Sequence, residues 1–364
     1  MEKKHILIAL AAIMLVVGTC LLMTSCSGHY ARLSKEEVIT SFPETYILPE
    51  SSMNSVEVPG VVDIKHIGER LYCMTMNPQG LIVVLDDKGL EPCGVPFLRL
   101  GNGPLETLSP IPFRQMFFHE EDGCVLADFF NMGNRLIRLN LTLSESEKAI
   151  VGQPLGEVPG ELMGMGPLSI LEDGVFFFQT PLDKSSVRRG IWRNGEIQYA
   201  QAQEKLNSFA LQDPDGFMFN IFFSTFAYNS ILRRFVEAST MQNTVNLYDL
   251  DGPFAKTLSI GGPVKDYYAM EKAGMEGLVQ TSQSVQAFPD FFAVLYFERP
   301  LSSPPSQKPM LMFFDWDGRP LLEISLPGSF TGFDIDPDRG VLYFSDQGTG
   351  KVAVADISMA MSHL

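Results

Sequence analysis

Few side chains in this sequence have the type and spacing that catalysis requires. Beyond the N-terminal stretch the histidines are His29, His66, His119 and His363, and no G-x-S-x-G, H-E-x-x-H or G-x-x-x-x-G-K-[ST] accompanies them. Hydrolase, zincin and nucleotide chemistries therefore have no motif behind them. His119-Glu120-Glu121-Asp122 reads as a charged turn between strands. Asp334, Asp336 and Asp338 alternate as carboxylates do around a hard cation. The glycine that should follow the third acid and the closing Glu of a calcium loop are missing, and Pro337 and Gly340 make the segment a hairpin turn. Asp213-Pro214-Asp215-Gly216 is read the same way. Cys73, Cys93 and Cys124 are odd in number and form no C-x-x-C, so neither a zinc site nor a redox pair is indicated. They read as small buried hydrophobes, with one disulfide left open.

What remains suits recognition rather than reaction. Arg99, Asn102, Glu106, Arg114, Asn131, Arg135, Arg188, Arg189, Tyr228, Asn229, Tyr267, Tyr268, Glu298 and Arg299 are the candidates. Guanidinium groups are planar charged donors and tyrosine offers a flat face with a polar tip, a combination fitted to a carboxylate, a sugar or a peptide. The aromatic run 217–226 reads as packing between sheets. No cofactor is expected.

The elements that would position these residues are strands. From Val61 on, short runs of Val, Ile, Leu, Phe and Tyr alternate with Gly, Pro, Asn and Asp, and no long 3.6-residue periodicity competes. An apolar strand runs into a tight turn at Asp86, Asn140, Asn194, Asp249 and Asp315, at intervals of 54, 54, 55 and 66 residues. A second turn precedes most of these by one strand, at Gly68, Asp122-Gly123, Asp173-Gly174, Pro289-Asp290 and 336–340. Four antiparallel strands per unit of some fifty residues is the blade of a β-propeller. Asp-Gly and Asn-Gly fit its hairpins because those turns need positive φ. The arithmetic predicts an all-β, six-bladed β-propeller with four antiparallel strands per blade. Its short last blade would be completed by an N-terminal strand at 44–48, closing the ring. Seven blades is the alternative, if 261–286 hides another.

The segment Gly101-Asn102-Gly103-Pro104-Leu105-Glu106 is similar to the G-x-G-P-x-E link between blades of the TolB-like six-bladed β-propeller lipoproteins of Bacteroidota, and weaker echoes occur at Ile260-Gly261-Gly262-Pro263 and Leu326-Pro327-Gly328. The resemblance spans nearly the whole chain after its leader, and it implies a fold and a surface address rather than a reaction. In such blades the turns between strands one and two and between three and four share one face. The second-to-third turns and the blade-to-blade links share the other. The long segments 100–112, 152–167, 180–189, 224–230, 261–286 and 298–308 would populate that second face, which is the expected binding face. The alternative is a metal-dependent lactonase- or lyase-like enzyme with a divalent ion in the central channel, for which Asp63 and Asp334 fall at first-strand positions.

Composition sets the remaining bounds. The 364 residues are 45% hydrophobic and 19% charged, ample for a packed core. A net charge of −16 argues against a nucleic acid or an anionic membrane surface as partner. Met1-Glu2-Lys3-Lys4-His5 precedes an almost wholly apolar run from Ile6 to Met23, and Met23-Thr24-Ser25-Cys26 follows. That order resembles a bacterial lipoprotein signal, cut before Cys26, which would carry the lipid. Val17-Gly18-Thr19-Cys20 is a rival site, and an uncut membrane anchor is the plainer reading. The expected organisation is a signal peptide at 1–25, a flexible tether at 26–41 and the propeller at 42–364. The protein would be a monomer in the cell envelope, facing the periplasm or exterior, with an envelope protein, peptide or glycan as partner. Cys26→Ala should abolish metabolic labelling with a radioactive fatty acid; undiminished labelling would move the site to Cys20.

Overall fold

A computed structural model describes residues 29–131, 135–165, 168–216, 220–301, 308–362 and 364. The leader and Cys26 lie outside these residues, as do most of 298–308, part of 217–226 and His363. Among the described residues six blade sheets follow one another along the chain, with a two-stranded sheet of Arg99–Leu100 and Glu106–Thr107 in the link between the first two. Blade 1 holds Val61–Ile67, Arg70–Thr75 and Ile82–Asp86, with isolated bridges from Ile82 to Phe97 and Leu85 to Pro92 in place of a fourth strand. Blade 2 is Phe117–Glu121, Cys124–Phe130, Arg135–Asn140 and Gly152–Glu157. Blade 3 is Leu168–Glu172, Val175–Leu182, Ser186–Arg193 and Glu196–Gln198. Blade 4 is Ser224–Asn229, Arg234–Ser239, Thr244–Asp249 and Ala255–Ile260. Blade 5 is Val279–Ala287, Phe291–Pro300, Met310–Asp315 and Pro320–Ser325. Blade 6 is Gly332–Asp336, Val341–Asp346 and Lys351–Asp356, completed by Met53–Glu57. The six-bladed expectation holds.

The strands read as near-continuous apolar runs because both faces of every inner sheet are buried. The two-residue pleat decides which neighbour each side chain meets. In Phe291–Pro300, Ala293 and Leu295 pack toward blade 6, whereas Phe292, Val294 and Tyr296 pack toward blade 4. One apolar cluster fills each of the six interfaces, from Phe129 and Ile82 between blades 1 and 2 round to Tyr343 and Ile64 between blades 6 and 1.

Several expectations need correction. The closing strand is Met53–Glu57, paired antiparallel to Lys351–Asp356, and not 44–48. Glu44–Ile47 instead lies parallel to Pro320–Ser325 as a fifth strand on blade 5. The described part of the predicted tether is docked: Glu36–Ile39 lies parallel to Ala255–Ile260 on blade 4, and Ala31 and Leu33 are buried. The N-terminal segment is thus a strap laid on the outer edges of blades 4, 5 and 6 in turn. Its charged residues and isolated apolar ones hid it, since an edge strand buries only one face. No seventh blade lies in 261–286, which holds the helix Tyr267–Ala273, a 3₁₀ turn and most of the first strand of blade 5. The turn after Asn140 is a helix, Leu141–Glu147, whose Leu143 N–H is capped by Asn140 Oδ1 at 2.8 Å. Cys73, Cys93 and Cys124 are all free thiols, and burial pushes the Cys73 thiol well above its ordinary pKa.

Around the channel the first strands are stapled by side chains reaching to the next backbone. Asp334 Oδ2 of blade 6 accepts from His66 N–H of blade 1 at 2.8 Å and from Lys65 Nζ at 3.0 Å. Asp63 Oδ2 of blade 1 accepts from Phe113 N–H at the entry to blade 2, at 2.7 Å. Gln286 Nε2 of blade 5 donates to Phe333 O of blade 6 at 3.0 Å. Removing Asp334 would orphan a buried N–H and an ammonium. Asp334→Ala should therefore lower the unfolding free energy by about 3 kcal/mol in urea titrations. The exposed Asp338→Ala should stay within about 0.5 kcal/mol, and equal effects would contradict the staple.

Candidate functional site

The glycine-rich link between blades 1 and 2 is built by its own glutamate. Glu106 Oε2 accepts from Gly103 N–H at 2.6 Å, and a Cβ at Gly101 or Gly103 would stand 2.1 or 2.8 Å from that oxygen. Only glycine lets the carboxylate close the loop. Asn131 Nδ2 donates to Glu106 O at 3.0 Å, and its Oδ1 accepts from Arg135 N–H. Arg135 Nη1 reaches the carbonyls of Asn102 and Gly103 at 3.3 and 3.1 Å. Glu106, Asn131 and Arg135 thus fix the loop, and the side chains of Arg99 and Asn102 stand exposed on it without a hydrogen-bond partner among the described residues.

Most other candidates are also engaged. The segment 180–189 is two strands joined by a tight turn, and 152–157 is the fourth strand of blade 2. Arg188 Nε donates to Tyr199 OH at 2.9 Å. Arg189 is buried: its Nε meets Glu237 Oε2 at 2.7 Å, with side chains 4% and 0% exposed. Tyr248 OH and Ser224 Oγ donate to the same carboxylate, each at 2.5 Å, and Gln179 Nε2 joins at 3.3 Å. This network locks blade 3 to blade 4. Burial and the adjacent Glu237 carboxylate push the Tyr248 hydroxyl well above its ordinary pKa.

Ser224–Asn229 is a strand rather than a long loop, which places Tyr228 and Asn229 at the tight-turn face. Tyr228 OH donates to Glu172 Oε1 at 2.5 Å, and Arg233 and Arg193 extend the network to Asp251. Hydrogen bonds from Arg193 and then Arg233 hold the Asp251 carboxyl below its ordinary value against the pull of burial. Asn229 Oδ1 caps the turn at Ile231 and Leu232, while its Nδ2 reaches the carbonyls of Phe288 and Pro289. Tyr267 is buried between blades 3 and 4, and Tyr268 lies over His29 with ring centroids 3.8 Å apart. Arg299 Nη2 donates to Gln280 Oε1 at 2.8 Å, and Glu298 accepts from Tyr296 OH at 3.0 Å.

The central channel holds a cavity of about 230 Å³ lined by Lys65, Arg114, Phe117, Phe226, Tyr228 and Gln286, among others. The 3₁₀ turn Phe113–Gln115 carries Arg114 against the first strands of blades 1 and 3. Burial pushes the Asp63 carboxyl up, opposed by the Arg114 charge and by the N–H groups of Phe113 and Ile64. The ammonium of Lys65 already lies against Asp334, where a channel cation would have to sit. Among the described residues no three His, Cys, Asp or Glu side chains converge as a metal set. Asp336 accepts from Arg339 N–H and Nε, as the hairpin reading expects.

The long-loop face also exposes apolar side chains. Met76 in the second-to-third loop of blade 1, Leu100 and Leu108 in the link to blade 2, Met163 in the link to blade 3 and Leu182 at the second-to-third turn of blade 3 are between 37% and 56% exposed. Sequence reading missed these residues because it weighed polar chemistry alone. It also missed Glu237 and Lys65, whose signal was a charge inside an apolar strand.

No protein-family model matches the chain, and no curated protein sequence matches it. Among solved structures it is similar to a member of the DUF4221 family from Bacteroides vulgatus, at 12% identity and TM-score 0.46 over 85% of this chain and 94% of that one. It is also similar to a luciferin-regenerating enzyme, at 10% identity and TM-score 0.45 over 84% and 94% of the two chains. The Pan2 WD40 domain of Neurospora crassa matches at 11% identity and TM-score 0.44 over 85% and 96%.

The buried pair gives a direct test of the structural role of Arg189. Arg189→Ala should destabilise the fold by about 3–5 kcal/mol, because Glu237 stays buried without its cation. The paired replacement Arg189→Met with Glu237→Leu should recover most of that loss in thermal and urea unfolding.

Proposed function

We propose that the protein is a lipid-anchored binding or scaffold module of the TolB-like lipoprotein kind, held in the cell envelope through Cys26. A partner protein would dock on the long-loop face of blades 1 to 3. The observation that supports this is the set of five exposed apolar side chains, Met76, Leu100, Leu108, Met163 and Leu182, on the face that also carries Arg99, whose side chain has no partner among the described residues. Apolar side chains flanking an arginine are the composition of an interface core, and exposed apolar area of this kind marks interaction surfaces. The ring beneath is rigid, since the arginines and tyrosines that could have formed a polar pocket are fastened, between blades at Arg189 and Arg233 and within blade 3 at Arg188. A partner would therefore meet a preorganised surface.

Photo-crosslinking in intact cells tests the reading. A crosslinking residue at position 108 or 163 should give a discrete protein adduct that Arg99→Glu weakens at least tenfold. The same residue at position 231, exposed on the opposite face, should give none. Adducts of equal yield from both faces, or none from positions 108 and 163, would overturn the proposal. An adduct with glycan or peptide alone would redirect it to that ligand.

A further inference from the structure

A cleft of about 540 Å³ lies between blades 4 and 5, where the strap crosses from one to the other. Ile39 and Phe42 of the strap, Ile260 of blade 4 and Met310 and Met312 of blade 5 form its apolar wall. Two of its acceptors, on Glu323 and Asn243, lack donors among the described residues. Glu323, in the fourth strand of blade 5, has no hydrogen bond or ion pair among the described residues, and burial pushes its carboxyl above the ordinary value. Asn243 is 2% exposed, and its Nδ2 donates to the carbonyls of Ile260, Gly262 and Pro263 at 3.0, 3.1 and 3.3 Å. Those three carbonyls fix the orientation of the amide, leaving Oδ1 buried with no donor among the described residues. Glu298 also faces the cleft and has taken only the proton of Tyr296 OH, at 3.0 Å.

Leaving a buried carbonyl oxygen and a desolvated carboxylate unsatisfied is costly, and such costs persist at sites that a ligand completes. The missing chemistry is a positively charged N–H donor, and the size and apolar wall of the cleft suit a small organic body. We propose that this cleft binds an organic ammonium: a protonated primary amine on an apolar stem, its N–H groups taken by Glu323 and Asn243 Oδ1, its stem lying along Phe42, Ile260 and Met312. Lys265 is exposed at the rim and disfavours a second positive charge on the ligand. A small free amine and the lysine side chain of a peptide share this chemistry.

Calorimetry on the full chain in mild detergent separates the outcomes, with phenethylamine and acetyl-Ala-Lys-Ala-amide as ammonium probes and phenethyl alcohol as the neutral control. At least one ammonium probe should bind tenfold or more tightly than the alcohol. Glu323→Gln should weaken that binding about ten- to hundredfold, as loss of a charge-assisted hydrogen bond predicts, while the thermal midpoint holds or rises. Lys265→Glu, an exposed change that leaves every acceptor in place, should tighten it severalfold. Binding of phenethylamine alone assigns a small-molecule amine, and binding of the tripeptide assigns a lysine side chain. Equal binding of the alcohol, no binding by either ammonium probe, or an unchanged affinity in Glu323→Gln would each overturn the assignment.

Discussion

Burial of both faces of every inner strand is the constraint from which the rest of this structure follows. A sheet flanked on each side by another can be apolar throughout, provided that alternate residues suit alternate neighbours. The two phenylalanine pairs Phe291/Phe292 and Phe313/Phe314 show the division, with Phe291 and Phe313 serving blade 6 and Phe292 and Phe314 serving blade 4. Such an arrangement has no natural end except closure. Met53–Glu57 supplies it by pairing with Lys351–Asp356, a contact between opposite ends of the chain whose loop-closure entropy is offset only when the intervening blades are in place.

Polar groups are consumed by the same requirement. Asp63, Asp334 and Gln286 tie first strands to the next backbone, Arg189 and Glu237 lock blades 3 and 4, and Arg339 bridges Asp336 of blade 6 to Asp87 of blade 1. With 43 acidic and 27 basic residues, carboxylates outnumber cations, and an arginine near a strand end is readily paired. The exceptions carry the information. Among the described residues the side chains of Arg99 and Arg114 have no hydrogen bond or ion pair, and Glu323 has no cation.

The ring was legible in the sequence because its signals are local. Turn residues recur at Asp86, Asn140, Asn194, Asp249 and Asp315; Asn194 takes φ 56° and Asp86, Asn140 and Asp315 cap the N–H groups that follow them. The strap was not legible, because a strand added to an outer edge has one exposed face and no turn of its own period: Glu44–Ile47 is mostly solvent-facing. Loop length misled in the same way. The segments 180–189 and 224–230 contain no long apolar run at their ends, yet they are strands, with Arg189 and Tyr228 bonded to neighbouring blades and Arg188 to Tyr199 of its own. Spacing reveals which residues share a face. It does not reveal which of them are already paired, across an interface as Arg189, Tyr228 and Asn229 are or within a blade as Arg188 is.

The strap divides the ring into a clad half and a bare half. On blades 4 and 5 the outermost hydrogen-bonding groups are occupied by Glu36–Ile39 and Glu44–Ile47. Blade 2 ends on Gly152–Glu157, every residue of which is solvent-exposed. Bare β edges invite strands from other molecules, and here Pro154, which lacks an N–H, and a register break opposite Leu136/Ile137 spoil the template. Self-association is thus discouraged by two different devices on opposite flanks of one molecule, occupancy on one and irregularity on the other.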